Sequence, residues 1–346
     1  MKKNKLAILA AVSLTAALAA GCSGGAKEAA ATTAAETRAA GTEAETTAEE
    51  TAAAEETEAE PEDEENYDTG DAALDNPRNQ DEIGEQERLV ARFGTRYNDS
   101  RRLTIGAMEE AVEKAVPEYS VRRGFTSQII IDHVKSLDNV AIDNIGEALE
   151  RAVDNGVRTL VVQPTHLMDG LEYNDLVNEI AEYSDAFDKV AVGKPLLTSD
   201  EDFAAVIAAI TEATAEYDDG ETAICFMGHG TEAESNQVYA KMQQMLTDAG
   251  YEHYFVGTVE AEPSLEDVLE AVQAEEYKKV VLEPLMIVAG DHANNDMAGD
   301  EEGSWKDTFE KAGYEVICLV RGLGELEPVQ QLFVEHAKAA IDSLAD

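Results

Sequence analysis

The chain has 346 residues and a formal net charge of −46, with 72 Asp and Glu against 26 Lys and Arg. Such an acidic chain repels nucleic-acid phosphates, so DNA and RNA are excluded as expected partners. The part with globular composition has about 260 residues, enough for one large domain or two smaller ones.

Residues 1–22 have the layout of a secretory signal peptide, with early lysines, an apolar run and small residues before Cys22. The apolar run is too short for a comfortable membrane span. The ending LAAGC resembles the lipobox of bacterial lipoproteins, in which the cysteine becomes the lipid-modified first residue. We therefore expect an exported protein, periplasmic or on the outer face of the bacterial cytoplasmic membrane, that touches the membrane only through a lipid on Cys22.

Residues 23–86 are dominated by Ala, Thr, Glu, Gly and Ser. A segment of this composition cannot bury enough apolar surface to fold. We predict a disordered acidic stalk that lifts a folded domain off the membrane. Part of the net charge belongs to this stalk, so the overall charge says little about a functional site.

From residue 88 onward, short apolar runs such as TLVVQP and KVVLEP alternate with amphipathic helical stretches. This alternation predicts an α/β fold with a mainly parallel sheet and helices on both faces. Cys225 and Cys318 lie inside two of the apolar runs. They are either a disulfide pair or two buried free thiols, and the sequence leaves both readings open.

An internal comparison indicates a duplication. TLVVQPTHLMDGLE aligns with KVVLEPLMIVAGDH, which places Gly170 on Gly290 and Glu172 on His292. Upstream, LVARFGTR aligns with ICFMGHGT. We therefore predict two related, doubly wound parallel-sheet lobes, at residues 87–205 and 206–346, facing one cleft.

Three polar residues follow predicted strand ends at related positions: His229, His292 and Glu172. Ligands of open parallel sheets bind beyond the carboxyl ends of the strands, so two facing lobes would bring these residues together. Two imidazoles and a carboxylate suit a divalent transition metal. They would serve equally well as proton acceptors near neutral pH.

Several motifs carry a family resemblance: FMGHGT, VGTVE, PLMIVAGDHANNDMAGDEEGSWK and GLGE, preceded by FGTRYNDS, GFTSQII, THLMDGLEY and GKPLL. In this order they resemble the anaerobic sirohydrochlorin cobaltochelatases of the CbiK type, over essentially residues 88–345. The resemblance implies a chelatase fold and insertion of Co²⁺ into a tetrapyrrole precursor of cobalamin. It implies no ATP and no organic cofactor, with Fe²⁺ or Ni²⁺ as competing metals.

The resemblance also implies a site. The two histidines of the GHG and GDHA motifs and the glutamate of the G-x-E-Y motif form the family's metal site, and they correspond to His229, His292 and Glu172. We expect the histidines to bind Co²⁺ and take up ring protons. Glu172 either completes the metal site or orients one imidazole.

Sirohydrochlorin carries carboxylates, for which arginines are suited partners. Arg102 and Arg122 are expected to be solvated surface charges instead. The candidate substrate-binding residues lie near the first-lobe strands: Arg92, Arg96, Arg123, Thr126, Ser127 and His166. Members of the family usually have a small residue at the positions of Arg92 and Arg96.

The expected export is unusual for an enzyme that acts on cytoplasmic intermediates. An alternative is therefore an extracytoplasmic lipoprotein that binds haem, another tetrapyrrole or metal for uptake. A further alternative is a solute-binding lipoprotein that feeds an importer. The paired metal-ligand motifs favour the chelatase, because a simple solute binder needs no such pair. Whether the chain forms a homo-oligomer is left open.

Overall fold

The computed structural model describes residues 69–81 and 83–345, which all belong to one compact unit. The predicted signal peptide with Cys22 and the predicted stalk up to residue 68 lie outside the described residues. Within the described ranges, no helix combines the length and apolar composition needed to cross a bilayer. Export and lipid anchoring therefore stay predictions.

The strands of the described residues form two separate four-stranded sheets. The first sheet contains β1 (Gln86–Arg92), β2 (Ser120–Phe125), β3 (Thr159–Pro164) and β4 (Lys189–Val192). The second contains β5 (Thr222–Gly228), β6 (Tyr254–Thr258), β7 (Lys279–Pro284) and β8 (Glu315–Cys318).

The two sheets share one topology. Their orders are β2-β1-β3-β4 and β6-β5-β7-β8, and every strand pairing is parallel. β1 therefore corresponds to β5, and β3 corresponds to β7. The sequence comparison had aligned the same strand pairs, and the predicted α/β class with parallel sheets is confirmed.

Helices cover both faces of these sheets, with short 3₁₀ and π-helical turns between them. The α-helices are α1 (Asn98–Ser100), α2 (Ala107–Ala115), α3 (Gln128–Asp138), α4 (Ile145–Asp154), α5 (Leu171–Tyr183), α6 (Asp200–Ala213), α7 (Gln237–Asp248), α8 (Leu265–Gln273), α9 (Trp305–Lys311) and α10 (Glu327–Asp342). The 3₁₀ turns are Ala72–Leu74, Ser184–Ala186, Glu234–Asn236 and Leu323–Glu325, and the π-helical turns are Arg101–Gly106 and Ala293–Met297.

Burial on both faces explains the near-continuous apolar runs of the central strands. In β1, Leu89 and Ala91 pack in the cluster that contains α4 and α5 residues, whereas Val90 packs in the cluster that contains α2 and α10 residues. Side chains alternate between the faces of a strand.

The C-terminal helix α10 connects the two sheets. Val334 packs with Val90 of β1 and Val112 of α2, and Ala340 packs with Val161 of β3. On its other side, Phe333 belongs to the largest core cluster, which contains β5 and β7 residues. The last helix of the range 206–346 therefore packs on the first sheet. The predicted lobe boundary near residue 205 divides the chain by sequence position, and it stays a prediction.

Residues 69–81, inside the predicted stalk, pack against the first half of the domain. Asp75 accepts hydrogen bonds from Arg101 Nε at 2.7 Å and Arg123 Nη1 at 2.6 Å. Arg78 is buried and pairs with Glu109 at 3.1 Å. The predicted stalk end at residue 86 is therefore too late. Ion pairs attach residues 69–81 to the domain, and the few apolar residues of this segment did not indicate that it packs.

The first sheet buries several arginines. Arg122 is completely buried and donates to Asp143 at 2.9 Å, so the expectation that it is a solvated surface charge was wrong. Arg102 is partly exposed and forms an i,i+3 ion pair with Asp99. A carboxylate partner offsets the desolvation cost of a buried guanidinium group, and sequence alone did not indicate which arginines have one.

Glu87 of β1 is completely buried, and neither carboxylate oxygen has a hydrogen-bond partner among the described residues. Burial raises its pKa to about 7, although Arg122 acts in the opposite direction. The folded state then binds more protons than the unfolded state, so this residue lowers stability as pH rises from about 4.5 through about 7. At pH 8 the ionised side chain costs about 3 kcal/mol.

We predict that Glu87→Gln raises the free energy of unfolding by about 1–3 kcal/mol at pH 8 and by far less at pH 5, because the amide carries no buried charge. Urea denaturation of both proteins at the two pH values measures the difference. The exposed Glu85→Gln is the matched control. An equal gain at both pH values would show that ionisation of Glu87 is not the cause.

The two cysteines of the described domain are free thiols. Cys225 of β5 lies opposite Leu282 of β7, and Leu282 lies opposite Cys318 of β8. Two strand spacings separate the cysteines by about 10 Å. A disulfide requires Cα atoms within about 7 Å, so the free-thiol reading holds.

Candidate metal and tetrapyrrole site

Two histidines face each other beyond the carboxyl edge of the second sheet. His229 directly follows β5 and His292 lies in the loop after β7; their ring centroids are 4.6 Å apart with the rings perpendicular. Glu260 follows β6. One ligand atom from each of these three residues lies within 4.8 Å of the others, as in a metal-binding group.

Close packing at two glycines positions His229. A Cβ on Gly228 would approach the Tyr239 ring to 2.1 Å, and a Cβ on Gly230 would approach the backbone nitrogen of Ala261 to 2.8 Å. Gly230 also has a φ of +91°, which favours glycine. The GHG motif therefore lets the β5 and β6 loops approach, and Glu260 N–H donates to the His229 carbonyl at 2.9 Å.

Hydrogen bonds at Nδ1 leave Nε2 of both histidines available for a metal. His229 Nδ1 lies 2.9 Å from the Gly230 carbonyl, which can only accept, so Nδ1 carries the proton. His292 Nδ1 lies 2.7 Å from Asp296 Oδ2. Metal-binding histidines characteristically donate their second ring N–H in this way.

The hydrogen bond to Asp296 also raises the pKa of His292, against the opposing effect of burial. His292 precedes the π-helical turn Ala293–Met297, an element often found at functional sites. The carboxylate both orients the imidazole and stabilises its protonated form. The hydrogen-bond partner of His292 is therefore Asp296 and not the adjacent Asp291.

Glu172 approaches from the first lobe, at the start of α5. Its Oε2 lies 3.7 Å from His166 Nε2, and it is not one of the three residues whose ligand atoms converge. Burial raises the pKa of Glu172, and His229 opposes that shift, so the two residues are near enough to interact electrostatically. The carboxylate whose ligand atom converges with those of both histidines is that of Glu260.

Sequence reasoning did not single out Glu260, although its motif VGTVE was noted. Glu260 lies two residues beyond the end of β6. It therefore occupies the kind of strand-end position that drew attention to the other three residues. The available signal was the strand end itself, and it was missed because β6 had no counterpart in the internal alignment.

The predicted substrate-binding residues fall into two groups. Arg96 pairs with Asp291 at 2.8 Å, Arg123 is hydrogen-bonded to Glu109 and Asp75, and the Ser127 side chain caps α3. These contacts favour structural roles. The remaining three have buried polar side-chain atoms without hydrogen-bond partners among the described residues: Arg92, Thr126 and His166.

The sequence model of the cobalt chelatase (CbiK) family matches residues 86–342. The chain belongs to this family. The match spans both sheets of this CbiK-family protein and every residue of the site. The predicted family membership is confirmed.

Two relatives are similar over most of their length. The sirohydrochlorin cobaltochelatase of Salmonella typhimurium strain LT2 is 33% identical over 254 residues, which are 73% of this chain and 96% of the relative. The sirohydrochlorin cobaltochelatase CbiKC of Nitratidesulfovibrio vulgaris is 30% identical over 260 residues, or 75% and 91% of the two chains.

Solved structures agree on the fold. SirB from Bacillus subtilis with Fe³⁺ superimposes with a TM-score of 0.55 at 15% identity, covering 76% of this chain and 98% of SirB. The sirohydrochlorin chelatase SirB of Bacillus subtilis subspecies spizizenii in complex with cobalt gives a TM-score of 0.52 at 14% identity, covering 75% and 97%. The predicted chelatase-like α/β fold is confirmed.

Proposed function

We propose that this CbiK-family protein is a sirohydrochlorin cobaltochelatase, which inserts Co²⁺ into a tetrapyrrole precursor of cobalamin without ATP or an organic cofactor. The observation that carries the proposal is the convergence of His229, His292 and Glu260 at the edge of the second sheet, with Glu172 approaching from the first lobe. Two imidazoles and a carboxylate match the ligand preference of divalent cobalt and leave coordination positions for exchange.

Metal insertion replaces two pyrrole N–H bonds with metal–nitrogen bonds and releases two protons. While Co²⁺ is held by the protein, the Nε2 lone pairs of His229 and His292 are occupied. As the ion moves to the macrocycle nitrogens, these lone pairs become free to accept the departing protons. The contact between His292 and Asp296 favours this uptake because it stabilises the protonated imidazole.

Glu260 and Glu172 have different places in this scheme. Glu260 lies 3.5 Å from His229 Nδ1 and belongs to the converging group, so we assign it to metal binding. Glu172 remains a candidate metal ligand from the original prediction. Its contact with His166 fits a carboxylate that faces the macrocycle and passes protons away from it.

The test uses the full chain, purified without oxygen, with sirohydrochlorin and Co²⁺. We expect the absorbance change of metallation at a rate well above the spontaneous reaction, with Fe²⁺ and Ni²⁺ as competing metals. Tight tetrapyrrole binding without metallation would refute the chelatase. It would instead support the alternative, a lipoprotein that binds haem, another tetrapyrrole or metal for uptake, which the lipobox-like LAAGC favours.

We further propose that the protein acts outside the cytoplasmic membrane and is anchored by a lipid on Cys22. The support is the signal-like residues 1–22 and the LAAGC ending. Cys22→Ser should move the protein from the membrane fraction to the soluble fraction and abolish labelling by a radioactive fatty acid. Equal membrane association of both proteins would count against the anchor.

A further inference from the structure

Arg92 is an unpaired buried cation at the end of the central strand β1. The residue is 3% exposed, and its Nε and Nη1 are buried without a hydrogen-bond partner among the described residues. Burial lowers the pKa of Arg92 to about 9, against the opposing charge of Glu109 and together with the nearby Arg123. A buried guanidinium without a partner carries a desolvation cost that an anionic ligand would remove.

The protein's own carboxylates are already committed. Glu109 accepts from Arg123 through both oxygens at 2.8 Å and also pairs with Arg78. Asp75 is shared between Arg101 and Arg123. The cluster therefore places four buried guanidinium groups around two buried carboxylate side chains, and the further carboxylates of Glu113 and Asp138 pair with Arg78 and Arg101. Among the described residues, none of these carboxylates accepts a hydrogen bond from Nε or Nη1 of Arg92.

Other unpartnered polar groups surround the end of β1. Thr126 and Thr165 flank Arg92 on the two neighbouring strands, joined to β1 by backbone hydrogen bonds of 2.7 Å and 2.9 Å. Their Oγ1 atoms, and both ring nitrogens of His166, are buried without hydrogen-bond partners among the described residues, although His166 Nε2 lies 3.7 Å from Glu172. Three adjacent strand ends thus place unsatisfied polar atoms at one edge, where ligands of parallel sheets bind.

Exposed apolar residues neighbour two polar residues of this edge in the chain. Phe93, which follows Arg92, is 47% exposed, and Leu171, which precedes Glu172, is 65% exposed. Large exposed apolar side chains beside buried unsatisfied cations suit a ligand with an apolar body and acidic arms. A small inorganic anion would satisfy the cation but would leave the apolar side chains uncovered.

We propose that the end of the first sheet, formed by Arg92, Thr126, Thr165 and His166, is a carboxylate-binding site that takes one acidic side arm of the tetrapyrrole. The inference rests on the proposed function for the identity of the ligand. Arg92 is then a substrate-specificity residue, distinct from the metal-binding residues of the second sheet. It selects macrocycles with a carboxylate at the matching ring position.

The test measures binding of metal-free sirohydrochlorin, and of uroporphyrin as a second octacarboxylate, to the full-length protein. Arg92→Gln should weaken both by about 10- to 100-fold, the loss of one charge-assisted pair. Arg92→Lys should recover part of this affinity because it restores the charge. The affinity for Co²⁺ should stay unchanged in both variants.

Arg88→Gln is the matched control, because Arg88 is also completely buried on β1 with unpartnered Nε and Nη2, but lies farther from the strand end. It should bind both tetrapyrroles like the wild type. Arg92→Gln should be at least as stable as the wild type in urea, since it removes an unpaired charge. Reduced stability would instead show a structural partner for Arg92 and overturn the proposal.

Unchanged tetrapyrrole affinity in Arg92→Gln, an equal loss in Arg88→Gln, or absence of wild-type binding would likewise overturn the carboxylate site. The outcome is separable from that of the chelatase. Wild-type binding that falls in Arg92→Gln without any cobalt insertion supports the site and refutes the proposed reaction. Cobalt insertion with an unchanged KM for sirohydrochlorin in Arg92→Gln supports the proposed reaction and refutes the carboxylate site.

Discussion

His292→Ala is expected to reduce cobalt insertion by about 100-fold or more, because loss of a metal ligand should cost at least as much as loss of its supporting residue, which typically costs 10- to 100-fold. The substitution removes one of the two imidazoles that converge with Glu260 on the site. It also removes one of the two proposed proton acceptors. The measurement is the initial rate of sirohydrochlorin metallation, together with Co²⁺ affinity in the absence of tetrapyrrole.

The control is Asp296→Asn, which keeps the imidazole and weakens only its hydrogen bond. We expect a smaller loss of Co²⁺ affinity, about 10-fold. The same titration separates the two carboxylates: Glu260→Gln should weaken Co²⁺ binding, and Glu172→Gln should weaken it comparably only if Glu172 is also a metal ligand. Normal Co²⁺ affinity in His292→Ala would contradict the assigned metal site.

Asp75→Ala is expected to destabilise the domain by about 3–5 kcal/mol, because breaking a buried ion pair leaves an uncompensated charge. Asp75 accepts from Arg101 and Arg123, whose side chains are completely buried. Burial acts to raise the pKa of Asp75, but the hydrogen bonds and charges of these arginines outweigh it and lower the pKa. Domains are typically stable by only about 5–15 kcal/mol, so the loss would be large.

Urea denaturation followed by circular dichroism measures this loss. Asp99→Ala is the control, since Asp99 forms an ion pair with Arg102 in which both side chains are substantially exposed. Exposed pairs contribute about 0–1 kcal/mol. A cost below 1 kcal/mol for Asp75→Ala would mean that residues 69–81 are not an integral part of the domain.

The strand ends were predicted well from the sequence, because the spacing of apolar residues and the local composition indicate directly which segments are buried. His229 and His292 follow strands whose apolar runs are fully buried, and parallel topology forces such ends to one edge. The alignment of Gly170 with Gly290 matched the observed correspondence of β3 with β7. For that reason, the two histidines could be paired before their distance was known.

Charged residues were predicted less well, since a formal charge in a sequence does not reveal its partner. Asp75 reads as one more acidic residue of a stalk, and Arg122 reads as a surface charge. The role of each depends on an ion-pair partner distant in the chain: Asp75 pairs with Arg123, and Arg122 pairs with Asp143. Glu260 was missed for a related reason, because its significance depends on the approach of the β5 and β6 loops.

The path of α10 determines how the halves are connected. The chain enters the first half through residues 69–85 and returns to it through α10, so the second sheet is in effect an insertion between two parts of the first. Both ends of the described domain are therefore fixed to the half that contains Arg92. Because α10 also contributes Phe333 to the core cluster that contains β5 and β7 residues, any relative movement of the two halves would have to shift this helix.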